Sequence, residues 1–146
     1  MTATEDPIVA EILSHLAAES AQDLDTLLEG MTDDCFNLVV PDPHRLYAGP
    51  EEVARRYRGL WTTFPDLKVE MRRIVSVSET VAVTEHMLSG TQDGPLFGFP
   101  PSGKRMEVET AVIWDIVDGR IRGESVYFDV ATMLRQAGHL ASWAQA

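Results

Sequence analysis

One cysteine, Cys35, occurs in 146 residues. No intrachain disulfide can form, and a reducing cytosolic setting suits the chain. A lone cysteine is more often a small buried hydrophobe than a reactive thiol. Basic residues are also scarce: 12 Lys and Arg stand against 23 Asp and Glu, a net charge of −11. That balance excludes nucleic acid as a partner, because phosphate binding needs a concentrated basic patch. The densest basic cluster, Arg55, Arg56 and Arg58, reads as the solvated face of a helix. No apolar run approaches the ~20 residues of a spanning helix. The N-terminus lacks a basic segment followed by an apolar core, so no secretory leader is expected. The chain therefore reads as a cytoplasmic protein with no membrane partner. No His-x-x-x-His, Cys-x-x-Cys or clustered-carboxylate pattern is present, and no metal is expected. Internal repeats and low-complexity tracts are missing too.

What remains is the composition of an ordinary globular domain, 45% hydrophobic and 24% charged, spanning residues 1–146. Met1 to Asp6 is a polar tail, and residues from about 140 to 146 form a C-terminal extension in which Trp143 is free to dock or fray. Pro7 suits a helix first turn, and Ile8, Ile12, Leu13 and Leu16 recur at helical spacing. Asp23 resembles an N-cap for a second helix that ends near Gly30. Asp33 and Asp34 read as a turn before a strand from Cys35 to Val40. Pro50, with Glu51 and Glu52 complementing the dipole, opens a third helix. Its apolar stripe is Val53, Tyr57, Leu60, Trp61 and Phe64, and Pro65 stops it.

Strand candidates follow at Leu67 to Val77, Thr80 to Gly90, Lys104 to Val117 and Arg120 to Asp129. The last two are joined by Asp118-Gly119, a two-residue hairpin signal because both positions must tolerate positive φ. A final helix runs from Val130 to Gln136 and closes at Gly138. Helices grouped early and strands grouped late predict an α+β fold, with helices on one face of a curved antiparallel sheet. Alternation along the last strand puts Asp129 with Tyr127, Ser125 and Ile121, and sets Phe128, Val126 and Glu124 opposite. If the first of these faces is concave, the strand delivers one carboxylate into a largely apolar cavity. The alternative is that Asp129 only caps the last helix.

Four segments in order carry a family resemblance: Phe64-Pro65-Asp66-Leu67, Gly98 to Lys104, Asp118-Gly119-Arg120-Ile121, and Gln136-Ala137-Gly138. From Tyr47 to Gly138 the chain resembles the SnoaL-like polyketide cyclases of the nuclear-transport-factor-two-like superfamily. That resemblance implies a cone-shaped α+β barrel with helices on the concave side of the sheet, and a homodimer through the outer sheet face. It also implies cofactor-independent cyclase or isomerase chemistry on a hydrophobic, carbonyl-bearing small molecule, with Asp129 as acid/base. An ordinary Asp titrates near ~3.9, so such a role requires dry surroundings that raise its pKa by about 2–3 units.

Trp61, Phe64, Phe97 and Tyr127 are candidates for that dry wall. The loop Gly98 to Lys104 is either a rigid rim, with Phe97 and Phe99 as its apolar walls, or a plain connector. Gln92 stands where the family often has His; Gln hydrogen-bonds but exchanges no proton near neutral pH. One of Glu85 and His86 must face inward, and an inward Glu85 would pair with Asp129. His15 and His44 read as surface residues, and Arg45 and Tyr47 as candidates for the mouth. Because one fold hosts many activities, two other readings stay open: a non-catalytic binding domain, and an epoxide or ester hydrolase.

Overall fold

A computed structural model describes residues 5–140; Trp143 lies outside them. Helix α1 (Pro7–Ala21) starts where the Asp6 carboxylate accepts the Ile8 amide at 2.8 Å, an N-cap with proline in the first turn. Helix α2 (Leu24–Glu29) is capped by Asp23, which accepts the Thr26 amide at 3.1 Å. Strands β1 (Met31–Val39) and β2 (Arg45–Ala48) lead into α3 (Pro50–Thr63). Strands β3 (Lys68–Val77), β4 (Val81–Thr91), β5 (Arg105–Val117) and β6 (Arg120–Phe128) follow, and α4 (Val130–Gln136) completes the described chain.

Two local expectations need correction. Asp33 and Asp34 lie inside β1 rather than in a turn, with their carboxylates on its exposed stretch. Arg45–Ala48 is a strand in its own right, paired antiparallel to β1. It is too short for periodicity to announce it.

The sheet runs β2-β1-β6-β5-β4-β3. Its neighbours pair antiparallel except β1 and β6, which pair parallel. The parallel pair follows from topology: α3 and four strands separate β1 from β6, so no hairpin joins them. The β5–β6 hairpin turns on Asp118 (φ 51°) and Gly119 (φ 76°), both left-handed as the two-residue turn requires. Register sets the inner face. Ala82, Thr84, His86 and Leu88 of β4 align with Trp114, Val112, Thr110 and Val108 of β5. Trp114 and Val112 align in turn with Glu124 and Val126 of β6. Helix α1 packs on β3 and β6, and α3 on β1 and β2. Together they bury this face around Ile12, Leu16, Tyr57, Phe64 and Trp114.

The segment after β4 is tied to the end of α3, where the Asp93 and Gly94 amides donate to the Thr63 carbonyl at 2.9 and 3.2 Å. A Cβ on Gly94 would stand 2.5 Å from the Thr62 carbonyl oxygen and 2.9 Å from its carbon. Backbone atoms cannot swing aside, so Gly94→Ala is expected to cost about 1–3 kcal/mol. A urea midpoint unchanged from wild type would refute this close approach.

Candidate active site

Between α3, the inner ends of β4 and β6, and the loop after β4 lies a cleft of about 710 Å³, within the usual size of a small-molecule site. Its wall is apolar, formed by Phe64, Leu88, Leu96, Val126 and Phe128, while Arg45, Tyr47, Arg55 and Arg56 supply polar groups. Phe97 overhangs it, stacked on Phe128 with ring centroids 6.3 Å apart.

One pleat further along the same inner wall the chemistry changes. Glu124 lies two residues before Val126 on β6, His86 two before Leu88 on β4, and Asn37 two before Val39 on β1. Two strand residues span about 6.6 Å, so these polar groups lie just beyond the apolar belt. Glu124 is 3% exposed and His15 2%. A single Glu124 oxygen, Oε1, accepts from His15 Nε2 at 3.1 Å, from Asn37 Nδ2 at 3.1 Å and from the Tyr57 hydroxyl. His15 Nε2 also lies 2.9 Å from the Tyr57 oxygen.

Burial alone would depress His15, but the Glu124 carboxylate outweighs it and holds the imidazole above its ordinary value. Burial likewise would raise Glu124, and His15 with the hydrogen bonds from His15 and Tyr57 holds it down. The two therefore form a buried imidazolium–carboxylate pair. Glu19, also on α1, is pushed up to about 7, first by burial and then by the charge of Glu124. Beside them Trp114 Nε1 donates to Thr84 Oγ1 at 2.7 Å, and Thr84 lies 2.7 Å from His86 Nε2. Burial pushes His86 down to about 4, which keeps that ring neutral near pH 7.

The residues singled out from the sequence scatter. Phe64 and Phe97 do line the cleft, as do Arg45 and Tyr47. Trp61 belongs to the core behind it, donating Nε1 to the Glu19 carbonyl at 3.0 Å. Phe99 stacks on His139, with ring centroids 4.7 Å apart, away from the cleft. Gln92 is fully buried as the anchor of the proline-rich loop. Its Nε2 donates to the Gly94 and Pro100 carbonyls, both at 3.0 Å, and its Oε1 lies 2.8 Å from His139 Nε2.

Glu85 points outward and accepts the Arg73 fork at 3.0 and 2.8 Å, which lowers its pKa; the inward neighbour is His86. Tyr127 is 43% exposed on the outer face. Asp129 is exposed there as well, at the edge of a second hollow of about 450 Å³. It caps α4 by accepting the Thr132 amide at 3.1 Å and hydroxyl at 2.6 Å. Those bonds lower its pKa, the opposite of the dry, proton-holding carboxyl expected.

The reversal has a definite cause. A register shift between Asp115 and Ile116 brings Ile121 to the inner face, opposite Ile116 and out of phase with Tyr127. Ile121 was the apolar residue that made the Asp129 face look buried. Glu124 therefore takes the inward place. His15, expected at the surface, is buried. Its signal was present in α1, where His15 and Glu19 continue the stripe of Ile8, Ile12 and Leu16. Among the described residues there is no group of three or more His, Cys, Asp or Glu placed to hold a metal, and no helix is long and apolar enough to cross a membrane.

The sequence profile of the SnoaL-like polyketide cyclases matches residues 9–137. Nogalonic acid methyl ester cyclase of Streptomyces nogalater is 31% identical over 117 residues, which cover 75% of this chain and 87% of that protein. IdmH, a candidate polyketide cyclase from Streptomyces antibioticus, superposes with a TM-score of 0.77 at 25% identity, over 92% of this chain and 99% of that one. A candidate SnoaL-like polyketide cyclase from Jannaschia sp. CCS1 superposes with a TM-score of 0.83 at 24% identity, over 97% and 98% of the two chains, and supports the fold.

The two shifted groups act on stability with opposite signs. The unfolded chain protonates His86 near 6.5 but the folded one resists to about 4, so stability from this site falls as pH drops through that window. Folded Glu19 keeps its proton from 4.5 to about 7 while the unfolded chain loses it, so stability from that site falls as pH rises through that window. Glu19→Gln removes only the second effect. Its stability relative to wild type is expected to rise between pH 5 and pH 8 by on the order of 2–3 kcal/mol. Urea titrations at both pH values giving the same difference would contradict a buried Glu19 that titrates near neutrality.

Proposed function

Because the chain belongs to the SnoaL-like polyketide cyclase family, we propose that it is a cofactor-independent cyclase or isomerase acting on a hydrophobic small molecule with enolisable carbonyls. The cleft receives the apolar body, and the Glu124–His15–Tyr57 cluster at its closed end moves the proton. The observation that carries this reading is the meeting of four elements on one buried carboxylate, next to an apolar receptacle.

An intramolecular aldol closure is redox-neutral. A carbon between two carbonyls gives up a proton, a carbon–carbon bond forms to a second carbonyl, and that carbonyl oxygen takes up a proton. Glu124, held ionised, is the acceptor. The proton that His15 shares with Tyr57 is the one returned to oxygen. Substrate must pass the apolar belt of Leu88, Val126 and Phe128 to reach them. Asp129, exposed and engaged with Thr132, serves α4 instead.

The same belt favours a second reading, a non-catalytic binding domain, since neither Glu124 nor His15 lines the cleft. Self-association through the outer face of β4 to β6 belongs to the proposal as well, with Tyr127 exposed there.

Turnover of a polycyclic β-dicarbonyl substrate, followed by mass spectrometry, separates the readings. Glu124→Gln is expected to lower it by about 100-fold or more. Asp129→Asn should leave it nearly intact, because Asn caps about as well as Asp. Loss of turnover in folded Asp129→Asn alone would restore the carboxylate at the end of β6 as acid/base. Conversion by no preparation, with ligand still bound, would favour the binding domain. Labelled solvent oxygen in the product would indicate a hydrolase.

A further inference from the structure

Among the described residues, two turns place consecutive residues in left-handed backbone, and only one has the sequence for it. The β5–β6 hairpin uses Asp118 and Gly119 (φ 51° and 76°), residues that such a turn favours. The other uses Phe97 and Gly98 (φ 48° and 82°). Here the Leu96 amide donates to the Phe99 carbonyl at 3.0 Å, and the Phe99 amide to the Leu96 carbonyl at 2.8 Å. Glycine suits its place, but phenylalanine does not: in left-handed backbone its Cβ crowds the following carbonyl. Asn, Asp or Gly would make the same turn with less strain.

The fold gains little from the phenyl ring in return. Phe97 is 38% exposed and stands outside the core cluster, whereas Phe99 and Phe128 pack against that core. Its ring contact is with Phe128, tilted 29° at 6.3 Å, toward the wide end of the range for an aromatic pair. The base of the turn, by contrast, is fixed. Thr63 Oγ1 donates to the Pro95 carbonyl at 2.7 Å, and Gln92 Nε2 ties down the Gly94 and Pro100 carbonyls on either side. A rigid base thus holds one bulky aromatic ring at a strained tip on the border of the cleft. Strain of this kind, which the fold does not reward, gathers at ligand clamps.

We propose that Phe97 is a specificity-determining clamp: the turn presents its ring to the cleft so that it lies on the face of a flat ring system seated against Phe128. The left-handed backbone is then retained for the ligand rather than for the fold. This rests on the cleft being the receptacle for a hydrophobic body, and it adds how the receptacle judges shape. A flat ring stacks on a phenyl face, whereas a puckered ring of the same carbon skeleton touches it through a few hydrogens. Burial alone does not discriminate in that direction, because saturating the rings leaves them at least as apolar. A preference for the flat ring therefore reports the stack.

Naphthalenemethanol and its fully saturated counterpart share a carbon skeleton and an aliphatic hydroxyl and differ in flatness. Isothermal titration calorimetry on the wild-type protein should show the flat probe binding about three- to tenfold more tightly, the value of one aromatic pair. In Phe97→Leu, which keeps an apolar side chain without a flat face, the ratio should fall close to one. Phe97→Gly should lose the same preference while its urea midpoint stays at or above that of wild type, since relief of the left-handed strain offsets the lost Phe128 contact. Equal affinities in wild type, or a ratio unmoved in Phe97→Leu, would overturn the clamp and leave the apolar receptacle standing. So would a Phe97→Gly midpoint lowered by about 0.5 M or more, which would make the ring a prop of the fold. Failure of both probes to bind would overturn the receptacle and the clamp together.

Discussion

A carboxylate buried at 3% exposure has to be matched by partners or it unfolds the protein around it. Glu124 is matched by groups from three other elements: His15 of α1, Tyr57 of α3 and Asn37 of β1. Removing one partner of a buried pair costs roughly 3–5 kcal/mol, so the seating of both helices on the sheet is tied to this oxygen. The His15 ring also meets Trp114 edge-on, with centroids 5.3 Å apart, and Trp114 continues the hydrogen-bonded chain to Thr84 and His86. Polar groups on an inner wall would otherwise be faults in a core. Here each fixes the orientation of the next.

The features that were legible from sequence are those decided locally. Asp118-Gly119 needs left-handed backbone at both positions and has it. Asp23 caps α2 as its position announces, and Asp129 caps α4, the alternative its place before Val130 offered, whereas Asp6, read as tail, proves to cap α1. The stripe of α3 and its stop at Pro65 depend only on spacing and on proline's missing donor. The candidate site was less legible because it depends on facing. A strand's two faces are told apart by which residues look apolar, and one register shift opposite Ile121 exchanged them. Asp129 and Glu124 are five residues apart on one segment and so face opposite ways, and the shift moved Ile121 onto the Glu124 side. His15 and Glu19 were hidden by a different assumption, that a charged residue on an apolar helical stripe must turn toward water.

The proline-rich loop shows how a departure from a family pattern can be structural. Gln92 spends both amide protons on the Gly94 and Pro100 carbonyls, and its oxygen faces His139. A neutral side chain with two donors and an acceptor satisfies three groups at once, where an imidazole has only two ring nitrogens. The loop so anchored carries Phe97 at φ 48°, a left-handed conformation that bulky residues seldom adopt. Phe97 is held there against Phe128. Pro95 to Gly98 line the cleft there, while Phe99 turns away to stack on His139.

Along the inner wall, polarity changes in order, from guanidiniums and an apolar belt that line the cleft to the Glu124–His15 pair buried behind that belt. Such an order is directional. A ligand without polar groups gains equally from lying either way in the belt. One with a polar group at one end gains more from lying one way than the other. The belt of Leu88, Val126 and Phe128 also keeps bulk water from the imidazolium–carboxylate pair, and the pair's attraction strengthens as the medium dries. Arg56 connects the two zones: it lines the cleft, and its charge favours the ionised form of Glu124 beneath it.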